Sequence, residues 1–175
     1  MHIKKICLII PSLRHGGSER VMSLLANEWV IKKGVMVYLI LQTKQKIFYD
    51  LHKDVKLIEP TITYKKNWFS KSLYKLKIIF YIRKKCNQIK PDSILSFNER
   101  YNNIVLLSLL GTPYRKYVSD RNSPFNNLGL VHNFLRKILY KNAEGIIAQT
   151  NTAKEVLFKS TANKNIRVIP NPLRS

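Results

Sequence analysis

Acidic residues are scarce in this chain. Ten Asp and Glu stand against 31 Lys and Arg in 175 residues, a net charge of +21. Cysteine is scarcer still: Cys7 and Cys86 are too few and too far apart for a disulfide scaffold or a zinc site, so both read as reduced core residues of a cytosolic protein. No apolar run approaches the roughly 18 residues a spanning helix needs; the longest, Ile104 to Leu110, is interrupted by Ser108. The G-x-S-x-G elbow, H-x-x-x-H, C-x-x-C, G-x-G-x-x-G and G-x-x-x-x-G-K-[ST] motifs are all missing, which argues against hydrolase, zinc, dinucleotide and P-loop chemistry. His2, His15, His52 and His132 are scattered, which argues against a metal site. Internal repeats and low-complexity stretches are also lacking.

What remains is a globular composition, 45% hydrophobic and 23% charged, at a length that suits one domain. The apolar start, Ile3 to Ile10, runs into Pro11 and Arg14 with no small-residue cleavage site, and reads as a buried first strand rather than a signal peptide. Val21, Leu24, Leu25, Glu28 and Ile31 then fall at helical spacing, with Gly34 as the stop. Strands are expected at 35–41, 55–58, 93–97, 114–119, 145–149 and 166–169. Helices are expected at 70–89, 104–110, 130–140 and 152–159. This alternation predicts a Rossmann-like open parallel sheet with helices on both faces, over residues 1–169. Pro170 and Pro172 stiffen the chain where an interdomain hinge, residues 170–175, is expected to begin.

In such a sheet, ligands bind in the loops that follow the strands. Gly16 and Gly17 open the first helix, where free N–H groups and the helix dipole favour an anion; a tight turn without a ligand needs the same dipeptide. Arg14, His15 and Arg20 flank these glycines and serve either as ligand contacts or as solvated charge. Asn98-Glu99-Arg100, Asp120-Arg121-Asn122-Ser123-Pro124 and Thr150-Asn151 are the other strand-end loops. Asp120 and Arg121 could form no more than a loop ion pair, but their place after an apolar strand favours function.

Between Tyr64 and Lys90 nine basic residues occur with no acid, and Trp68, Phe69, Tyr74, Ile78, Tyr81 and Ile82 are interleaved with them. Leu73, Leu76, Phe80 and Asn87 fall on one side of this helix. The apolar residues exceed what one buried stripe would use, so the segment fits an anionic membrane surface, with Trp68, Lys71, Lys75, Lys84 and Lys85 as headgroup contacts.

Several of these segments, in this order and spacing, resemble the amino-terminal half of glycosyltransferase family 4, the retaining enzymes of GT-B architecture. They are Gly16-Gly17-Ser18-Glu19-Arg20-Val21, Ile94-Leu95-Ser96-Phe97, Val118-Ser119-Asp120-Arg121-Asn122, Ala148-Gln149-Thr150 and Val168-Ile169-Pro170-Asn171-Pro172. The resemblance implies transfer of a sugar from a nucleotide-sugar co-substrate with retention of configuration and without a cofactor or essential metal. It places Gly16 and Gly17 near the donor phosphates, while loop position and charge put Arg121 and Asn122 on sugar or phosphate and make Arg14, His15, Arg20 and Asn98 the further candidate ligand contacts. Where many members carry a histidine, Arg121 stands here, as in a subgroup linked with surface polysaccharide assembly. The family's donor-site glutamate pair is absent, since no two acidic residues lie eight apart, so a carboxyl-terminal donor domain is expected outside this chain. The implied acceptor is a polyprenyl-diphosphate-linked saccharide, and the implied location is cytoplasmic, peripheral on the inner face of a bacterial plasma membrane. A basic nucleic-acid-binding module and a non-catalytic scaffold are the alternatives; no nucleic acid partner is expected, because the basic residues cluster on a helix rich in apolar groups.

Overall fold

A computed structural model of the chain describes residues 3–62, 68–123, 125–126 and 128–172, with side chains on the long basic helix from residue 72 onward. Strand β1 (Lys4–Ile10) leads through the glycine loop into α1 (Gly17–Val30), and β2 (Val35–Leu41) and β3 (Lys56–Ile58) follow. The long helix α2 (Trp68–Ile89) precedes β4 (Ser93–Phe97), α3 (Glu99–Ser108) and β5 (Arg115–Ser119). The chain continues with α4 (Leu130–Leu139), a 3-10 turn (Tyr140–Asn142), β6 (Gly145–Ala148), α5 (Asn151–Thr161) and β7 (Ile166–Val168). All strands pair in parallel, in the order β3-β2-β1-β4-β5-β6-β7. The expected Rossmann-like sheet is therefore present.

Alternation explains the apolar strands. Leu8 and Ile10 of β1, with Leu39 and Leu41 of β2, face Val21, Met22 and Ala26 of α1. Cys7, Ile9 and Ile40 face the opposite side, onto Ile78, Ile82 and Cys86 of α2 and Val105 of α3. Both faces are covered, so neither strand alternates with polar residues. The two cysteines, 79 positions apart, meet in this second layer as free thiols. A third apolar layer, around Val118, Tyr140, Ile146 and Leu157, seats α4 and α5.

Most boundaries fall within two residues of expectation, and the start of α3 differs most. Helix α3 starts at Glu99, five residues before the expected Ile104, so Asn98-Glu99-Arg100 is not a loop. Its first turn is polar and reads as loop, yet Glu99, Asn102 and Asn103 are buried there, with partners that satisfy part of each side chain. Strand β3 is also shorter than expected, beginning at Lys56.

Candidate cleft at the sheet switch point

The strand order reverses between β1 and β4, and the loops after these two strands bracket the crevice where ligands enter sheets of this kind. Ser18 at the start of α1 donates from Oγ to Asn98 Oδ1 at 3.1 Å, joining the first turn of α1 to the cap of α3. Asn98 holds a left-handed backbone at φ 77°, a conformation asparagine tolerates better than most residues, and this turns the chain directly from β4 into α3.

Gly16 and Gly17 differ. The Gly16 N–H donates to the Tyr49 hydroxyl at 3.1 Å, and that hydroxyl donates back to the Gly16 carbonyl at 2.8 Å, so the Gly16 donor has a partner within the chain. A Cβ on Gly16 would meet the Glu19 carboxylate, whereas one on Gly17 would meet nothing within 4 Å. No side chain caps α1 among the described residues, so its first-turn N–H groups remain available to an anion. Arg14 and His15 are exposed on the same loop, His15 resting edge-on against Phe48 at 4.9 Å.

The β5 side is organised by Glu99. Its carboxylate accepts from the backbone N–H of Arg121 (3.0 Å) and of Asn122 (2.8 Å), and from the Asn122 side chain (2.5 Å). Behind it, Asn102 Nδ2 lies 3.1 Å from the Ser119 carbonyl, Asp120 Oδ1 and the Tyr140 hydroxyl, while Tyr140 donates to Asp120 at 2.6 Å. Asp120 faces Arg136 at 3.8 Å rather than its neighbour Arg121. Burial, and then the nearby Glu99 charge, push the Asp120 carboxyl up to about 7 despite these donors. The Arg121 guanidinium stacks 4.4 Å from the Phe97 ring centre and donates to Asn171; burial lowers its pKa to about 10. Arg20 donates to the Pro172 carbonyl at 3.0 Å. Both arginines thus hold the segment that leaves β7. Pro124 lies outside the described residues, and Thr150 has a structural task, accepting from Ala153 N–H as the cap of α5.

The structure brings Gly16, Gly17, Asn98, Arg121, Asn122 and Arg20 to one edge of the sheet. Glu99, Asn102 and Tyr140, which hold that edge in place, escape the sequence reading; the one signal for Glu99 is an acid directly after an apolar strand in a chain with few acids.

Helix α2 divides into two faces. Tyr74, Ile78, Ile82 and Cys86 pack inward, whereas Leu73 (53% exposed), Leu76 (52%) and Phe80 (69%) point outward beside exposed Lys75, Lys77 and Lys84; Lys85 is half-buried. The side chains of Trp68 and Lys71 lie outside the described residues. Helix α4 exposes a second apolar stripe, Leu130, Val131 and Phe134. No helix among the described residues is long and apolar enough to cross a membrane.

The fold is the Rossmann-like α/β sheet of one half of the GT-B architecture. No protein-family model matches the chain. A curated relative from Campylobacter jejuni is 24% identical over 168 residues, covering 96% of this chain and 46% of its own length; it is GalNAc-alpha-(1->4)-GalNAc-alpha-(1->3)-diNAcBac-PP-undecaprenol alpha-1,4-N-acetyl-D-galactosaminyltransferase. Among solved structures, the lipopolysaccharide outer core galactosyltransferase WaaB superposes with a TM-score of 0.73 at 14% identity, over 97% of this chain and 46% of that one. A UDP-N-acetylglucosamine 2-epimerase superposes with a TM-score of 0.69 at 14% identity, over 96% of this chain and 48% of that one. The chain therefore spans about half the length of each of these three proteins, and the epimerase illustrates that this fold serves more than one reaction.

Proposed function

We propose that the chain is the acceptor-side half of a retaining, metal-independent glycosyltransferase of family 4. The enzyme would move a hexose-type sugar from a nucleotide-sugar to a polyprenyl-diphosphate-linked saccharide in surface polysaccharide assembly. It would act as a peripheral protein on the inner face of a bacterial plasma membrane. The observation that carries this reading is the Campylobacter relative, which aligns along 96% of the chain and whose name specifies transfer onto an undecaprenol-PP saccharide. The outward stripe of α2, apolar side chains among lysines, supports contact with an anionic bilayer on independent grounds.

The chemistry assigned to these residues is orientation and charge stabilisation. Gly17 lets a diphosphate approach the first turn of α1, whose N–H groups donate to it. The resident Glu19 carboxylate opposes an anion there, and Arg14, His15 and Arg20 surround the same turn to offset it. Arg121 and Asn122, held by Glu99, meet the sugar or phosphate; moving Arg121 onto a ligand exchanges its bond to Asn171, which links occupancy of the cleft to the segment after β7. Retention needs no carboxylate nucleophile from this half if the donor phosphate acts as the base. The donor is held mainly by the half of such an enzyme that this chain does not span.

The test is turnover of the two-half enzyme on a short-chain prenyl-diphosphate saccharide. Arg121→Ala, with the melting temperature kept, is expected to lower kcat/KM at least about tenfold, equivalent to about 1.4 kcal/mol of transition-state stabilisation. Unchanged turnover removes Arg121 from the site, and no transfer to any lipid-linked saccharide by the unaltered enzyme removes the function.

A further inference from the structure

Level positions on neighbouring strands point to the same side of a sheet, and the register carries one side across four strands. Ile9 of β1 pairs with Ser96 of β4, Ser96 with Val118 of β5, and Val118 with Ile146 of β6. Ile9 packs in the cluster of α2, and Val118 and Ile146 pack in the cluster that holds Leu139 of α4. Helices α2 and α4 therefore lie on one side of the sheet, opposite α1. Helix α3 lies between them, giving Val105 to the first cluster and Leu106 to the second. The three helices form one layer with a shared outer face.

That face is apolar where solvent should favour polar residues. Leu130 (90% exposed), Val131 (70%), Phe134 (64%) and Ile138 of α4 point outward, as do Leu107 of α3 and the stripe of α2 described above. A helix whose inner side already fills a core normally carries polar residues outside, and a large exposed apolar patch marks a binding surface. The charge on this face has one sign. The one acid in the three helices is Glu99, which is buried, whereas Arg100, Lys137 and, just past α4, Lys141 are exposed. Cations of separate helices gather at one end of the layer, where burial, then Lys75 and Arg100, hold the His132 imidazole below its ordinary pKa.

Such a face suits an anionic bilayer better than a second copy of the chain. Apolar side chains enter the headgroup region while the lysines around them reach lipid phosphates. A second copy would set a charge of +21 against +21 across like-charged rims. We propose that the whole outer face of the α2–α3–α4 layer lies against the bilayer, with α4 as a second inserted helix beside α2. The proposal extends the bilayer contact argued for α2 and rests on the peripheral-membrane reading. Its consequence is an orientation: the sheet lies above the helix layer, broadly parallel to the membrane, and the cleft at the strand ends opens along the membrane surface.

Depth-sensitive fluorescence tests it. Phe80→Cys, Phe134→Cys and, as the control on the far side of the sheet, Ile31→Cys are each labelled with bimane; Cys7 and Cys86 are buried and shielded from the reagent. The labelled proteins are mixed with vesicles of phosphatidylcholine and phosphatidylglycerol at about 7:3, with a nitroxide on part of the acyl chains. Quenching of at least about twofold is expected at positions 80 and 134 and none at position 31. Val131→Ser with Phe134→Ser, both at exposed sites, should keep the melting temperature and weaken vesicle binding at least about tenfold, since two linked contacts bind far more tightly than either alone. Quenching at only one of positions 80 and 134, equal quenching at position 31, or a serine pair without effect overturns the proposal and leaves the peripheral reading standing. A dimer in light scattering that the serine pair dissociates makes the α4 stripe an interface between copies, and overturns it too. No quenching at any position, with no co-sedimentation, overturns both.

Discussion

Asp120 is a carboxyl held away from water next to a second carboxyl, and its pKa rises from 3.8 to about 7. A raised value means that the folded state binds the proton more tightly than the unfolded chain. Stability from this group is therefore full below the unfolded pKa near 4 and is lost as pH rises towards 7. Asp120→Asn keeps an oxygen for Tyr140 and Asn102 and removes the charge. Thermal melts should show the variant about 3–6 °C more stable than the unaltered protein at pH 8 and no more stable at pH 4. Equal effects at both values would mean that the carboxyl is ionised across the range. Gly17 offers the complementary case, a residue for which the proposed function supplies a reason and the fold does not. It has no neighbour within 4 Å of a Cβ, and its backbone is outside the left-handed region that demands glycine. Gly17→Leu should leave the melting temperature within about 2 °C and lower sugar transfer by at least about tenfold, because the side chain fills the space a ligand would use. Normal turnover in that variant would show the turn to be a turn and nothing more.

Helix α2 is the element in which sequence and structure diverge most instructively. Its core side and its solvent side are both apolar, so periodicity finds the helix but does not decide which stripe is buried. Leu73, Leu76 and Phe80 are as hydrophobic as Ile78 and Ile82; only the sheet surface, known once β1 and β2 are placed, selects the second set. The consequence is measurable as an asymmetry. Ile82→Ala should cost about 2–5 kcal/mol in denaturant unfolding, as a cavity left under the helix. Phe80→Ser, at a site already 69% exposed, should cost under about 1 kcal/mol. Equal costs would place Phe80 in a packed interface. Much else was legible: seven strands, the parallel sheet and the glycine turn follow from apolar runs, turn residues and alternation. The start of α3 was not, because Glu99, Asn102 and Asn103 are polar residues buried for the sake of bonds to the end of β5 and to α4, and the pairing of residues 17 to 29 apart in sequence leaves no periodic trace.

At the scale of the whole molecule, a charge of +21 draws the protein to any polyanion, and both duplex DNA and an anionic bilayer satisfy it. Salt separates the two. Screening shortens from about 10 Å at 0.1 M to about 3 Å at 1 M, and nucleic-acid binding, which rests on counterion release, collapses over that range. A bilayer contact keeps the part of its free energy that comes from apolar side chains entering the interface, and α2 presents three such side chains among its lysines. Co-sedimentation with anionic vesicles should therefore weaken between 0.1 M and 0.5 M salt without vanishing. Leu76→Ser with Phe80→Ser should remove most of what persists at 0.5 M, and Lys75→Glu with Lys84→Glu should remove most of the gain seen at 0.1 M, at about 1 kcal/mol per lysine lost. Binding to duplex DNA, measured in parallel, should ignore the serine substitutions. If vesicle binding disappears with salt as fully as DNA binding does, and the serine pair changes neither, the stripe on α2 does not enter lipid. The charge then acts alone, and a soluble acceptor or a nucleic acid becomes the partner to pursue.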